Sequence, residues 1–266
     1  MHIAWPDQQP SERRLQSRLR RARKNVAAPF VDPAENGRGA LNVARARARE
    51  IAGVLALMGG PDHEILAMLR IAANAGEALF SSFRATEPLR VHGVWSEPVT
   101  IPPQEHWSLS ATSSWLATIG LLVLLDDEDR LARMRSLGAD LPSQAPGIHS
   151  PPYFRPLAHA WTDLANGVAN PEAIQEALEA EVWDPPIFAE QERPHLLAMQ
   201  ALIDDDVSAF DQAMATFFEG YRRRHRKKHA FPELRLSPVG LGLLALARRQ
   251  GLPSTVTSDF APLLLA

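Results

Sequence analysis

The chain has 266 residues and a mass of 29.3 kDa, with 45% hydrophobic and 22% charged residues. This composition is ordinary for a globular protein, and a chain of this length buries about 70–75% of its unfolded surface without needing a disulfide or a metal. Cysteine is absent, which excludes disulfides, thiolate catalysis and zinc–thiolate sites and fits a reducing cytosol.

The net charge of −3 conceals an uneven distribution of charge along the chain. Residues 1–50 contain 11 basic and 5 acidic side chains, whereas residues 101–200 contain 5 basic and 14 acidic side chains. Residues 201–250 contain 9 basic and 6 acidic side chains. Because local potential steers the encounter with a charged partner, this segregation matters more for binding than the total charge.

The sequence pattern does not direct the chain to a membrane. The N-terminal MHIAWPDQQPSERR lacks an apolar core and a small-residue cleavage site, so no signal peptide is expected. The longest apolar run, Trp115 to Leu125, falls short of the ~20 residues that a bilayer span needs and is typical of a buried helix. We expect a cytoplasmic protein.

The N-terminal part of the sequence predicts helices separated by short breaks. A basic helix is expected over residues 11–25, followed by a Pro/Gly-rich linker over residues 28–39. Apolar residues recur at helical spacing over residues 41–58, and Pro61 opens a further helix.

An extended segment interrupts the helical pattern. Residues 89–103, LRVHGVWSEPVTIPP, combine apolar residues with glycine and proline and predict a short β-hairpin-like excursion. Helix is expected to resume at Gln104 and to continue to Leu125. The acidic run Asp126–Asp129 suits the first turn of the next helix, because carboxylates there face the positive end of the helix dipole.

The C-terminal half begins at a proline-broken loop over residues 141–152, the best candidate for an internal seam. Helices are expected over residues 153–166, over residues 170–183 with Asn170 as a cap before proline, and over residues 187–203 after a proline break. An apolar stripe then predicts another helix: Val207, Phe210, Met214, Phe217 and Tyr221. Ser237-Pro238 opens the last helix, which Gly251 should end with a positive φ.

These elements predict an all-α fold. We expect a multi-helix array of antiparallel helical hairpins or a bundle, with at most one short β-hairpin-like excursion near residues 89–103. A single domain over residues 1–266 is expected. The lack of a strict repeat of about 34 residues argues against a tetratricopeptide array.

The sequence offers no convincing catalytic, cofactor-binding or metal-binding constellation. Glu192 and His195 form its single Glu-x-x-His pair, whereas a di-iron helical site needs two, and we interpret the pair as an exposed helix start. His225 and His229 have metal-ligand spacing, but the surrounding cations oppose the binding of a dication. Phosphate-loop, dinucleotide-binding and serine-elbow motifs are lacking. We expect no enzyme and no cofactor, with catalytic groups converging from distant segments as the alternative.

Two basic clusters raise nucleic-acid binding as a less favoured alternative. RRLQSRLRRARK near the N-terminus and RRRHRKKH at residues 222–229 could each neutralise phosphates. No recognition module accompanies them, however, and the chain as a whole is acidic. Cations at a helix C-terminus also interact favourably with the helix dipole.

About the last seventy residues contain three further elements in a particular order: LLAMQALIDDDVSAFDQAMATFFEGYRRRH, LSPVGLGLLALARRQGL and the closing VTSDFAPLLL. In this order and pattern the segment resembles the immunity protein 49 family of bacterial polymorphic toxin systems. That family more often has tyrosine where this chain has Phe260. The resemblance implies a mainly α-helical protein that neutralises a cognate toxin by binding it.

The resemblance and the charge segregation together predict a partner-binding surface. Toxins that degrade nucleic acid usually present basic surface, so a basic nuclease-type toxin is one candidate partner for an acidic surface. The candidate partner-binding residues are Glu172, Glu176, Glu179, Asp184, Asp204, Asp205 and Asp206. The competing interpretation is an ordinary solvated helix face with aspartates at helix starts. A helical scaffold or adaptor with another partner is the alternative function, and the sequence leaves the oligomeric state open.

Overall fold

The computed structural model describes residues 1–4, 11–29, 32–104, 111–141, 150–225 and 236–261. Over this part of the chain the fold is all-α, as predicted, with two short strand pairs. The elements in chain order are β1 (His2–Ile3), α1 (Glu12–Ala27), α2 (Pro33–Leu57), α3 (Asp62–Arg84), β2 (Leu89–Val91), β3 (Val99–Ile101), α4 (Ala111–Leu124), α5 (Glu128–Leu137), α6 (Phe154–Ala165), α7 (Pro171–Glu179), α8 (Pro185–Ile187), a π-helical segment (Phe188–Glu192), α9 (Arg193–Ile203), α10 (Val207–His225), α11 (Pro238–Arg249) and β4 (Thr257–Ser258).

The described residues form two compact units. One unit contains α1 to α3 with β2 and β3, and the other contains α4 to α11 with β1 and β4. The single-domain organisation stays a prediction. Its candidate seam, residues 141–152, falls mostly on residues 142–149, which lie outside the described residues.

In the first unit, the predicted linker over residues 28–39 is wrong from Pro33 onward, where α2 begins. Asp32 Oδ1 accepts a hydrogen bond of 2.9 Å from the backbone N–H of Ala34, so a capped proline opens the helix. The helix is interrupted at Asn36, with φ −143° and ψ 68°, and restarts where Asn36 Oδ1 accepts a 2.8 Å hydrogen bond from Gly39 N. The side-chain caps of Asp32 and Asn36 therefore stabilise helix here despite the proline and glycines of the segment.

The predicted excursion near residues 89–103 is confirmed as an antiparallel pair of β2 and β3, in which Leu89 faces Ile101. Its loop buries Trp95, and Asn74 of α3 donates a 2.9 Å hydrogen bond to the carbonyl of Gly93. Helix is predicted to resume at about Gln104; Gln104 itself is not helical, residues 105–110 lie outside the described residues, and α4 is described from Ala111. The backbone N–H of Gln104 instead bonds to the carbonyl of Ser82 at 3.0 Å.

In the second unit, two buried tryptophans join α4 to α6. Trp115 Nε1 donates to Thr162 Oγ1 at 2.9 Å, and Trp161 Nε1 donates to the carbonyl of Leu116 at 3.1 Å. Each indole N–H is thereby satisfied in the interior. No helix among the described residues has both the length and the apolar character that crossing a bilayer requires.

The predicted helix starts at Asn170 and Ser237 are confirmed, whereas only Glu128 and Asp129 of the acidic run Asp126–Asp129 lie in the first turn of α5. Asp127, Asn170 and Ser237 each accept a hydrogen bond from the backbone N–H three residues later. Gly251 ends α11 with φ 75°, as predicted. Helix α7 is shorter than predicted, because it ends at Glu179 rather than near residue 183.

A strand pair that the sequence did not predict joins β1 to β4. The strands run parallel, with His2 opposite Thr257 and Ile3 opposite Ser258. Ser258 Oγ donates to the carbonyl of Ile3 at 3.1 Å, and both residues are buried. This pairing fixes both segments within one unit.

Candidate functional site

The first part of the predicted binding surface lies on α7. This helix buries Ala173, Ile174 and Ala177, and the 3.6-residue period therefore places Glu172, Glu176 and Glu179 on its exposed face. None of the three carboxylates forms an ion pair with another described residue. The side chain of Gln175 donates a hydrogen bond to Glu179. The exposed face of α7 is therefore a source of uncompensated negative charge.

The four predicted aspartates are also exposed, but three of them have local structural partners. Asp184 Oδ1 accepts from Ile187 N at 3.2 Å, and Asp206 Oδ1 accepts from Ala209 N at 2.9 Å, so each caps a helix. Asp204 Oδ2 accepts from Gln200 Nε2 at 2.9 Å. Asp205 has φ 54° in the turn between α9 and α10. The structure thus brings Asp204–Asp206 together in one turn and places Asp184 at the start of α8.

Sequence reasoning missed Trp183, which is 48% exposed. It lies between the exposed Glu181 and Asp184, in the connection that follows α7. Tryptophan is enriched among the residues that dominate the energy of protein interfaces. The prediction extended α7 over this position, whereas the break at Asp184-Pro185-Pro186 could have indicated a residue outside the helix.

The interpretation of Glu192 and His195 as an exposed helix start is wrong, because His195 is only 2% exposed. Helix continues from α8 through the π segment into α9, so Pro194 lies in a helix interior. Pro194 has no N–H to bond the carbonyl of Glu190, and Arg193 N instead bonds to the carbonyl of Phe188, five residues earlier. The π turn thus accommodates the proline without ending the helix.

The neighbouring helix α10 approaches the π segment closely. A Cβ atom at Gly220 would overlap the carbonyl oxygen of Glu190, so only glycine fits at this point. Two arginines of α10 hold the polar side chains of the segment: Arg223 pairs with Glu190 at 3.3 Å, and Arg224 Nη1 donates to Gln191 Oε1 at 2.7 Å.

Burial shifts both titratable groups of the Glu-x-x-His pair. It raises the pKa of Glu192 to about 7, although nearby Arg224 opposes the shift. It also lowers the pKa of His195 to about 3, so His195 is neutral at pH 7 and packs edge-on against Trp161 at 5.1 Å. Glu192 Oε2 and His195 Nε2 have no hydrogen-bond partner among the described residues. These two shifts make the stability of the fold depend on pH.

The closing element of the chain has a packing role. Phe260 is 1% exposed and meets Tyr221 of α10 edge-on at a ring-centroid distance of 5.2 Å. The carbonyl of Phe260 accepts a 2.7 Å hydrogen bond from Ser237 N at the start of α11. The remainder of the closing pattern, Pro262–Leu264, lies outside the described residues, as does His229 of the basic cluster.

The sequence model of immunity protein 49 matches residues 60–265. The chain belongs to the immunity protein 49 family. The match confirms the resemblance and extends it from the last part of the chain back to the start of α3. No curated protein and no solved structure matches the chain.

The predicted binding residues fall within the immunity protein 49 region. All seven predicted acidic residues and Trp183 lie between residues 60 and 265, as do Glu192 and His195. The basic helix α1 and the whole of α2 precede the matched region.

Proposed function

We propose that this immunity protein 49 family member neutralises a cognate toxin by stoichiometric binding in the cytoplasm, without catalysis. Membership of the family, matched over residues 60–265, is the observation that carries the proposal. The exposed and unpaired carboxylates of α7 support it, since they offer a binding surface with a defined sign of charge.

We further propose a basic toxin domain of the nuclease type as the partner. Opposite charges on two partners accelerate their association and exclude partners of like charge. Trp183, exposed beside Glu181 and Asp184, is suited to anchor the interface once the charges have brought the partners together. Glu172, Glu176, Glu179, Asp184, Asp204, Asp205 and Asp206 are the proposed contributors of charge.

Co-expression with the toxin domain encoded directly upstream of this chain's gene tests the proposed function. A stable complex of defined stoichiometry, together with restored growth of cells that produce the toxin, is the expected result. Failure of the two purified proteins to associate would overturn the proposal. Turnover of a small molecule by the purified chain, abolished by a single substitution, would also overturn it.

Charge reversal on α7 should slow association with the toxin. Replacing Glu176→Lys together with Glu179→Lys removes two exposed carboxylates and adds two cations, so we expect the association rate at low salt to fall roughly tenfold. The dissociation rate should change much less, because exposed charges act mainly on encounter. Stopped-flow or biosensor kinetics at two salt concentrations measure both rates.

The matched control carries the same change in net charge elsewhere. Glu87→Lys with Glu97→Lys alters two exposed carboxylates outside α7. If this control slows association as much as the α7 variant, total charge rather than the α7 face governs the encounter. Unchanged rates for the α7 variant at low salt would remove α7 from the proposed surface.

A further inference from the structure

A groove of about 440 Å³ runs between α9, with the preceding π segment, and α10. Small side chains form much of its lining, including Ala189, Ala201, Ala209 and Ala213. Helices recognise such grooves by inserting an apolar face, and small lining residues permit a close approach. The small lining residues therefore suit the approach of an apolar helix face.

Leu197 is the apolar anchor of this groove. It is 40% exposed, while its neighbours Leu196 and Ala198 are buried in the unit's interior. Ala201 and Ala213 are buried, whereas Leu197, Ala189 and Ala209 are exposed and offer a partner's aliphatic residues a surface from which both lose water. The groove extends along α9 from Arg193 to Asp204, about 16 Å or three helical turns.

The two ends of the groove carry opposite charges. Arg193 lines one end, and Asp204 and Asp206 line the other, next to Asp205. Within the described residues, none of these four side chains forms an ion pair. A helix that binds here therefore needs a cation at the end that lies next to Asp204–Asp206, and this pairing fixes the direction in which the helix runs.

The arginine-rich helix α1 does not match this groove as an occupant from a second copy. Its apolar residues Leu15, Ala22 and Val26 are already buried within its own unit. A helix that fits must instead have a free apolar face and a cation at one end.

We propose that the α9–α10 groove binds an amphipathic helix of the cognate toxin. Aliphatic side chains of that helix lie along Leu197 and the alanines, and a lysine or arginine of the helix pairs with Asp204–Asp206. The inference rests on the proposed toxin-neutralising function and assigns it a specific contact.

Filling the groove is the direct test. Ala209→Trp places a large side chain into the groove from an exposed position of α10, where it does not disturb the interior. Ser208→Trp is the matched control, since Ser208 is the adjacent exposed residue of α10 and does not line the groove. The probe is the purified toxin domain encoded upstream, with affinity measured by calorimetry and folding checked by circular dichroism.

We expect Ala209→Trp and Leu197→Lys each to weaken toxin binding at least tenfold, with Ser208→Trp binding like the unmodified chain. Asp204→Asn with Asp205→Asn should lower the association rate and its salt dependence. Asp206 is left intact because it caps α10. If the paired asparagine variant associates as fast as the unmodified chain, the proposed cation contact is wrong.

The outcomes separate this inference from the function on which it rests. If the unmodified chain binds the toxin and both groove variants bind equally well, the groove is not the contact while the proposed function stands. If the unmodified chain fails to bind the toxin, the proposed function is overturned and this inference falls with it. If the groove variants convert a self-associated chain to a monomer in sedimentation, the groove joins two copies, and the toxin-helix assignment is wrong.

Discussion

Replacing Glu192→Gln should raise the free energy of unfolding at pH 8 by up to about 3 kcal/mol. Burial raises the pKa of Glu192 from 4.5 to about 7, so at pH 8 the folded protein must hold a buried carboxylate. The stability that a protonated Glu192 supplies is fully present below pH 4.5 and is lost as the pH rises through 7. Glutamine keeps the shape and removes the charge, so the gain should disappear near pH 4.5. Urea unfolding between pH 4.5 and 8.5 measures this difference.

His195 has the opposite effect on the free energy of unfolding, and it determines how the stability of Glu192→Gln changes with pH. Its pKa falls to about 3 in the folded state from 6.5, so its contribution is present above pH 6.5 and is lost as the pH falls toward 3. Between pH 4.5 and 6.5 the two groups therefore offset each other in the unmodified chain. Glu192→Gln removes one of them, and its stability should decline visibly as the pH drops below 6.5.

Glu176→Gln is the control for this experiment. Glu176 is exposed on α7 and has no ion-pair partner among the described residues, so its substitution should change stability by less than about 0.5 kcal/mol at every pH. A gain for Glu192→Gln that is equal at pH 5 and pH 8 would contradict the assignment of a buried, titrating carboxyl group.

The sequence predicted those features that short-range interactions determine. The helix starts at Asn170 and Ser237 each depend on a hydrogen bond to a backbone N–H only three residues away, so the local sequence is sufficient to predict them. Helical periodicity likewise identified the buried stripe of α10, including Phe210 and Met214. The exposed face of α7 follows from the same periodicity.

Features that depend on distant residues could not be predicted from the sequence. Ile3 pairs with Ser258, 255 residues away, and nothing local to either short strand indicates its partner. The helix over residues 187–203 was predicted, but the π turn at Pro194, the close approach of Gly220 and the burial of His195 were not, because they depend on the packing of α10. The groove between α9 and α10 arises only when the two helices pack, so the exposure of Leu197 had no signature in the sequence.

Introducing a single methyl group at Gly120 should destabilise the second unit by about 3 kcal/mol or more. Helices α4 and α11 cross in backbone contact here: a Cβ at Gly120 would overlap the carbonyl oxygen of Pro238, and a Cβ at Gly242 would lie 2.7 Å from the Cα of Gly120. Backbone atoms move only with their helix, so Gly120→Ala must separate α4 from α11. Alanine's better helix propensity, about 1 kcal/mol, offsets only part of this loss. Urea unfolding of the full chain measures the change.

Gly39→Ala is the matched control, because it adds the same methyl group to a helical glycine of α2. There the nearest atoms belong to the side chain of Asn36, at 2.7 Å, which can rotate away only by losing its hydrogen bond to Gly39 N. Losing this cap costs about 1 kcal/mol, which alanine's better helix propensity offsets. The expected change is therefore within about 1 kcal/mol.

Gly120 and Gly242 share one crossing, so helices that the first alanine has separated already have room for the second. The double variant should therefore lose less stability than the sum of the two single losses. Strictly additive losses would show that the two glycines act at independent contacts, contrary to the direct approach of the α4 and α11 backbones.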